Sequence, residues 1–213
     1  MLKCAAVIPA YNEAPRIARV LQVVTQVPEL AEVIVVDDGS TDETAAVAAS
    51  SPGVRVVHLA SNQGKAAAMC AGFAATDAAI TLFLDADLQG LAPRHITDLL
   101  APVLADQADM SVGVFRGGRT RTDLSQVLVP YISGQRALRR EVFATLPDPS
   151  QARSGIEVLL THHARARRYR VRHVAIDGVT HAMKEEKLGL GRGMVARLRM
   201  YLEIARALRN HRP

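Results

Sequence analysis

Four short β-prone runs constrain the fold most, because each stops at small or polar residues and gives way to a helix-length segment. Cys4 to Ile8, Glu32 to Val36, Val54 to His58 and Ile80 to Leu84 read as strands. Glu13 to Gln26, a stretch from about Asp42, Gly64 to Ala75 and Pro93 to Leu104 read as helices. Strand and helix in alternation predict βαβ crossovers, and so an α/β fold with a mostly parallel sheet flanked by helices. The strand runs are largely apolar rather than alternating, as strands covered on both faces are. The helix starts agree. Ser40-Thr41-Asp42-Glu43 offers caps and first-turn acids, and Pro93 suits a first turn. Further on, Met110 to Phe115 reads as strand, Gly155 to Arg167 as helix, Tyr169 to Ile176 as strand and Gly193 to Leu208 as a last helix.

With 213 residues, 49% of them hydrophobic, the chain can bury one sizeable core, so residues 1–213 are expected to form a single domain with a C-terminal helical extension. At 4% aromatic with no Trp, that core must be Ala, Val, Leu and Ile. Cys4 and Cys70 sit in apolar runs and read as buried free thiols, which fits a reducing, cytoplasmic setting. The start shows no secretory leader, since Pro9, Tyr11, Asn12 and Glu13 cut the first apolar run short. Ala66 to Leu84 imitates a membrane span, but Gly72, Thr76 and Asp77 interrupt it, and it reads as helix, turn and strand. The net charge of +5 is uneven. Residues 1–150 carry 12 basic against 16 acidic side chains and residues 151–213 carry 14 against 5. The acidic part is suited to a cation and the basic part to an anion. Nucleic acid is disfavoured, because the basic part lacks the interleaved aromatics on which single-strand binders stack bases.

Ligands of such sheets bind beyond the carboxyl ends of the strands. Those ends read Pro9-Ala10-Tyr11, Asp37-Asp38-Gly39-Ser40 and Asp85-Ala86-Asp87. Two carboxylates two residues apart can meet one hard cation, Mg²⁺ or Mn²⁺, with Gln89 in reach; alone, the same triplet is as readily a polar turn. Asp37 and Asp38 can accept from a ribose hydroxyl or a base N–H, or simply form a turn. Asn62-Gln63-Gly64-Lys65 opens a helix whose N-terminus and lysine suit phosphate. It lacks the further glycines and the following Ser or Thr of a Walker loop.

Taken together, four segments in order resemble the family 2 glycosyltransferases of the GT-A fold. They are Val7-Ile8-Pro9-Ala10-Tyr11-Asn12-Glu13, Val33 to Asp42, Asn62-Gln63-Gly64-Lys65 and Phe83-Leu84-Asp85-Ala86-Asp87. The resemblance covers about the first 90 residues. It implies a GT-A (Rossmann-like) domain, with residues 1–110 as the nucleotide-sugar-binding half and 111–213 as the acceptor-side half. It implies a metal-dependent, inverting single displacement from a UDP- or GDP-type nucleoside-diphosphate sugar. Pro9, Ala10, Tyr11 and Glu13 would line the nucleotide pocket, with Asp37 and Asp38 at base or ribose and Lys65 near base or phosphate. Asp85 and Ala86 would meet the nucleotide sugar, and Asp85, Asp87, Gln89 and His181 the Mn²⁺ or Mg²⁺ ion.

Asp85-Ala86-Asp87-Leu88-Gln89 and Ser133-Gly134-Gln135-Arg136 resemble the branch that glycosylates polyprenyl phosphates. Pro130-Tyr131 and Gly90-Leu91-Ala92-Pro93 depart from that branch's pattern. On Gln89 and the Ser133 to Arg136 segment, the resemblance implies a polyprenyl-phosphate acceptor, with a small hydroxyl acceptor or polysaccharide, or a non-catalytic nucleotide-sugar-binding module, as alternatives. The loop after strand one is not glycine-rich, which argues against a nucleotidyltransferase. Asp87, Glu157 and Arg136 are the catalytic candidates, Glu157 as base for a hydroxyl acceptor or else an ordinary exposed helix acid. Arg116, Arg119 and Arg121, in an insert from Arg116 to Ser133, could hold a phosphorylated acceptor. His162 and His163 read as surface residues. In the last helix, Met194, Val195, Leu198, Tyr201, Leu202, Ala205 and Leu208 form one face with Arg192, Arg199 and Arg206 beside it. Such a helix packs on the domain or lies on the inner face of an anionic membrane.

Overall fold

The computed structural model describes residues 2–116, 133–152 and 155–181, and only the backbone of Arg116, Gln151 and His181. The Arg116 to Ser133 insert, with Arg119 and Arg121, lies almost wholly outside the described residues, and so does the last helix.

The sheet is built around β1 (Cys4–Ala10), which pairs in parallel with β2 (Leu30–Asp37) on one side and β4 (Ile80–Phe83) on the other. β3 (Val54–His58) extends the sheet beyond β2. Beyond β4, β7 (Arg136–Arg139) runs antiparallel to both of its neighbours, β4 and β6 (Met110–Arg116). β8 (Val171–Asp177) closes that side, parallel to β6. The order is β3-β2-β1-β4-β7-β6-β8, a parallel sheet with one reversed strand. A separate ribbon pairs β5 (Leu88–Gln89) antiparallel with β9 (Thr180–His181).

The described helices are α1 (Ala14–Val24), α2 (Thr44–Ala49), α3 (Lys65–Ala74), α4 (Pro93–Leu104), α5 (Arg140–Ala144) and α6 (Ile156–Ala166). Alternation along the strands sorts their side chains between two layers. Cys4, Ala6 and Ile8 pack with Ile17, Val20 and Leu21 of α1 and Ile96, Leu99 and Leu100 of α4. On the other face, Val7, Ile34 and Val36 meet Ala66, Ala68 and Met69 of α3, continuing to Phe143 of α5 and Leu159 and Leu160 of α6. Both faces are covered, which is why these strands needed no polar side. The alanine-rich α3 approaches the sheet closely. A Cβ at Gly72 would lie 2.3 Å from Cγ1 of Val7 and 2.9 Å from Cγ2 of Val36.

Within the described residues, the expected strands and helices are present, with ends displaced by one or two residues. α2 starts at Thr44, because Asp42 serves two helices: Oδ1 accepts from the Thr44 amide (3.0 Å) and Oδ2 from the Ala14 amide at the start of α1 (3.2 Å). β5, β7, β9 and α5 carried no assignment in the sequence reading. Two expectations need correction. His163 is a buried residue of α6, its Nε2 2.9 Å from Oγ1 of Thr145, and burial lowers its pKa. Cys4 is fully buried but Cys70 only half so, on the rim of α3; both thiols are free and pushed up by burial. No described helix is long and apolar enough to cross a membrane.

Gly72→Val should destabilise the fold by about 1–3 kcal/mol through overpacking against Val7 and Val36. A lowered urea midpoint at unchanged slope would show it; an unchanged midpoint would mean that α3 can lift off the sheet freely.

Candidate functional site

Parallel pairing puts the ends of β1, β2 and β4 on one edge, so Tyr11, Asp37-Asp38 and Asp85-Ala86-Asp87 follow one another along it. Ala10 is buried, Pro9 half-buried, and Tyr11 stands 44% exposed, an aromatic face open to a planar ligand. Asn12 takes a left-handed turn (φ 54°), and its amide donates to Ser40 Oγ (3.0 Å), joining the first two loops. Glu13 is almost buried, paired with Arg16 (3.2 Å), and its amide donates to Thr44 Oγ1. Asp37 accepts from the Ser40 amide (3.1 Å) and lies 3.4 Å from His58 Nδ1. Asp38, expected at base or ribose, already accepts one backbone amide on each oxygen, Gln63 and Gly64, both at 2.8 Å. It pins the loop that starts α3.

That loop delivers Lys65. Its Nζ lies 2.5 Å from Oδ1 of Asp85 and forms an equally direct ion pair with Glu157 of α6. Burial disfavours the ammonium, but the Asp85 and Glu157 carboxylates outweigh burial and raise its pKa. Lys65 therefore stays charged throughout the physiological range. Glu157 is not the exposed helix acid the sequence allowed; it is 6% exposed, its charge matched by Lys65.

The second wall comes from the segment before β7. Because β7 is antiparallel, its first residue, Arg136, pairs with Phe83, the last of β4, and so Ser133 to Gln135 reach the same edge as Asp85. Gln135 is fully buried and donates from Nε2 to Oδ2 of Asp85 (2.8 Å). A Cβ on Gly134 would fall 2.5 and 2.6 Å from the two Asp85 oxygens and 2.6 Å from Nζ of Lys65, so only glycine leaves room for the pair. Arg136 is completely buried. Its Nε donates to the Ser133 carbonyl (2.8 Å) and Nη1 to Thr161 Oγ1 (3.0 Å). Burial pushes its pKa down to about 10, and the nearby Glu157 charge opposes that. Gly134 and Gln135 escaped the sequence reading of the site; the signal was the Ser-Gly-x-Arg spacing, whose middle residues carried no evident chemistry.

Asp87, half-buried, begins the turn into β5, where Gln89 is exposed. The ribbon sets His181 directly opposite Leu88, between these two residues in sequence. The backbone thus draws together Asp87, Gln89 and His181, three of the four residues that the sequence assigns to metal, though the His181 side chain lies outside the described residues; the fourth, Asp85, has its oxygens engaged by Lys65 and Gln135. Carboxylate, amide oxygen and imidazole form a donor set that Mn²⁺ or Mg²⁺ accepts. Arg116 ends β6, paired in register with Asp177.

The family model for "Glycosyl transferase family 2" matches residues 5–160. The chain belongs to this family. Undecaprenyl-phosphate 4-deoxy-4-formamido-L-arabinose transferase of an Enterobacter species is 37% identical over 129 residues, 56% of this chain and 38% of that protein. Dodecaprenyl-phosphate galacturonate synthase of Rhizobium johnstonii is 33% identical over 121 residues, 53% of this chain and 36% of that one. The chain thus spans well under half the length of these curated relatives. Among solved structures, glucosyl-3-phosphoglycerate synthase from Mycobacterium tuberculosis, in complex with Mn²⁺, UDP and glucosyl-3-phosphoglycerate, superposes with a TM-score of 0.81 at 26% identity. That match covers 97% of this chain and 78% of the other. The sheet flanked by helices is the GT-A fold of these neighbours.

Lys65→Met should leave Asp85 and Glu157 without their shared cation. Removing one partner of a fully buried pair costs about 3–5 kcal/mol; with Lys65 30% exposed, about 2–3 kcal/mol is expected. The sign follows from its raised pKa: on the alkaline side the lysine's contribution is complete below the unfolded value of about 10.4 and is lost as pH rises through the higher folded value. Urea titrations should show the deficit in full at pH 7 and narrowing towards pH 4, where carboxylates neutralise. A deficit independent of pH would contradict the charge argument.

Proposed function

We propose that this chain is a metal-dependent glycosyltransferase that moves a sugar from a UDP- or GDP-type nucleoside-diphosphate sugar to polyprenyl phosphate. The observation that carries the reading is the carboxyl edge itself: Tyr11, Asp37-Asp38, Asp85-Ala86-Asp87 and Lys65 from four separate segments meet there in one acidic cleft with one fixed ammonium. Tyr11 is suited to stack on a base and Asp37 to accept from it, while Asp85 meets the ribose. Asp87, Gln89 and His181 would hold Mn²⁺ or Mg²⁺. Bound there, the ion neutralises the leaving diphosphate. The protein's own residues orient the donor and keep the charge pattern fixed before it arrives.

The acceptor reading rests on Glu157. Its carboxylate is buried and already engaged by Lys65, so an acceptor that brings an ionised phosphate oxygen fits better than one that must hand a proton to this residue. The polyprenyl-phosphate relatives agree with this. A second reading is transfer to a hydroxyl of a small phosphorylated acid; likeness to glucosyl-3-phosphoglycerate synthase, solved with phosphoglyceric acid, favours it. Work at the cytoplasmic face of a membrane, through the basic C-terminal residues, belongs to the first reading.

Asp87→Ala should abolish Mn²⁺-dependent stabilisation by UDP or GDP while the fold persists. In the wild type a hundredfold excess over Kd adds about 2.7 kcal/mol. Equal thermal shifts with and without Mn²⁺ in the wild type would sink the metal assignment. With polyprenyl phosphate as acceptor, Glu157→Gln should keep most of the turnover; a hydroxyl acceptor that used Glu157 as base would instead lose about 10²–10⁴-fold. Radiolabelled sugar transfer to undecaprenyl phosphate and to 3-phosphoglycerate, run side by side, separates the two readings.

A further inference from the structure

Asp85 is gripped from three sides, and the three grips are not equivalent. Lys65 takes Oδ1 at 2.5 Å, Gly134 leaves open the space beside both oxygens that a Cβ would fill, and Gln135 donates to Oδ2 at 2.8 Å. The first two do not set the rotation of the carboxylate. A lysine ammonium can pair with either oxygen or both, and a glycine provides room without direction. The amide of Gln135 does set it. The carboxylate only accepts, so Nε2 must be the atom facing Asp85, and Oε1 then turns to the Ser133 hydroxyl at 3.1 Å. The single Ser133 hydroxyl proton lies between two acceptors, and the shorter contact, 2.6 Å to the Gly113 carbonyl, ties Ser133 to β6. Ser133, Gln135 and Arg136 are all buried, so this part of the wall cannot touch a substrate directly and can act only through what it holds.

We propose that Gln135 is a positioning residue for donor binding: its buried amide fixes the rotation of the Asp85 carboxylate, so that one oxygen stays with Lys65 and the group presents a constant acceptor to the nucleotide sugar. Arg136, the next residue, performs the matching task at the other end of the chain of charges. It bonds Thr161, whose hydroxyl donates to the Glu157 carbonyl at 2.9 Å, and so steadies the helix turn that carries Glu157. Two consecutive residues, Gln135 just before the reversed strand and Arg136 at its start, thereby hold both ends of the Asp85–Lys65–Glu157 chain. Without the Gln135 amide, the hold on Oδ2 that opposes the pull of Lys65 on Oδ1 is lost, and the donor meets a less constant acceptor.

The inference rests on the reading that Asp85 faces the donor, and the experiment keeps the two apart. Binding of UDP and of GDP, each with Mn²⁺, is measured by calorimetry for wild type, Asp85→Asn, Gln135→Met and the double variant. Methionine matches glutamine in length and shape but offers no N–H. Gln135→Asn, whose amide is one methylene too short to reach, serves should the methionine variant fold poorly. Either Gln135 variant should weaken nucleotide binding about tenfold, the loss expected of one hydrogen bond to a charged group. Its melting temperature should stay near that of the wild type, and in turnover KM for the donor should rise with kcat little changed. The double variant should bind no more weakly than Asp85→Asn alone. If Asp85→Asn weakens binding but neither Gln135 variant does, the positioning role is wrong and the site reading stands. If Asp85→Asn itself binds as the wild type does, the site reading falls and this proposal with it. Losses that simply add in the double variant would also overturn it, because Gln135 would then act on something other than Asp85.

Discussion

One ammonium, that of Lys65, bridges two carboxylates from distant parts of the chain, the half-buried Asp85 and the buried Glu157. Much of the site hangs on this arrangement. Asp85 leaves the end of β4, Glu157 comes from α6 on the opposite side of the cleft, and Lys65 opens α3 between them. The lysine is delivered there by Asp38, which accepts the two amides just before it and so fixes where α3 begins. An acidic pair of the sheet edge, read at first as ligand-binding, thus builds the frame for a second set of charges.

The reversed strand is the other organising constraint. In an all-parallel sheet the residues preceding a strand lie at the edge opposite the ligand. β7 runs the other way, and the same rule brings Ser133-Gly134-Gln135-Arg136 to the ligand edge beside Asp85. Each residue of that segment then has a separate physical role: a hydroxyl tied to β6, a missing Cβ, an amide on a carboxylate, and a guanidinium sealed beneath Glu157. The β5–β9 ribbon works on the same principle, joining the turn after Asp87 to the far end of the sheet.

What could be read from the sequence was whatever local chemistry decides. Apolar runs closed by Asp-Asp-Gly or Asp-Ala-Asp determine parallel strands and the positions where acids leave them, because a strand buried on both faces tolerates polar groups only at its ends. Pro93 and Asp42 marked helix starts for equally local reasons, and the four segments of the first 90 residues sufficed to indicate the family. Tertiary structure decided the rest, since it depends on which groups meet across long separations. Lys65 and Glu157 are 92 residues apart and Asp85 and Gln135 are 50 apart. No periodicity signals that a lysine near a phosphate-suited helix start will be paired with carboxylates of its own protein, or that Arg136 will be fully buried. Charge type is written residue by residue, but charge state and reach are set by burial and partners, and only the folded sheet supplies those.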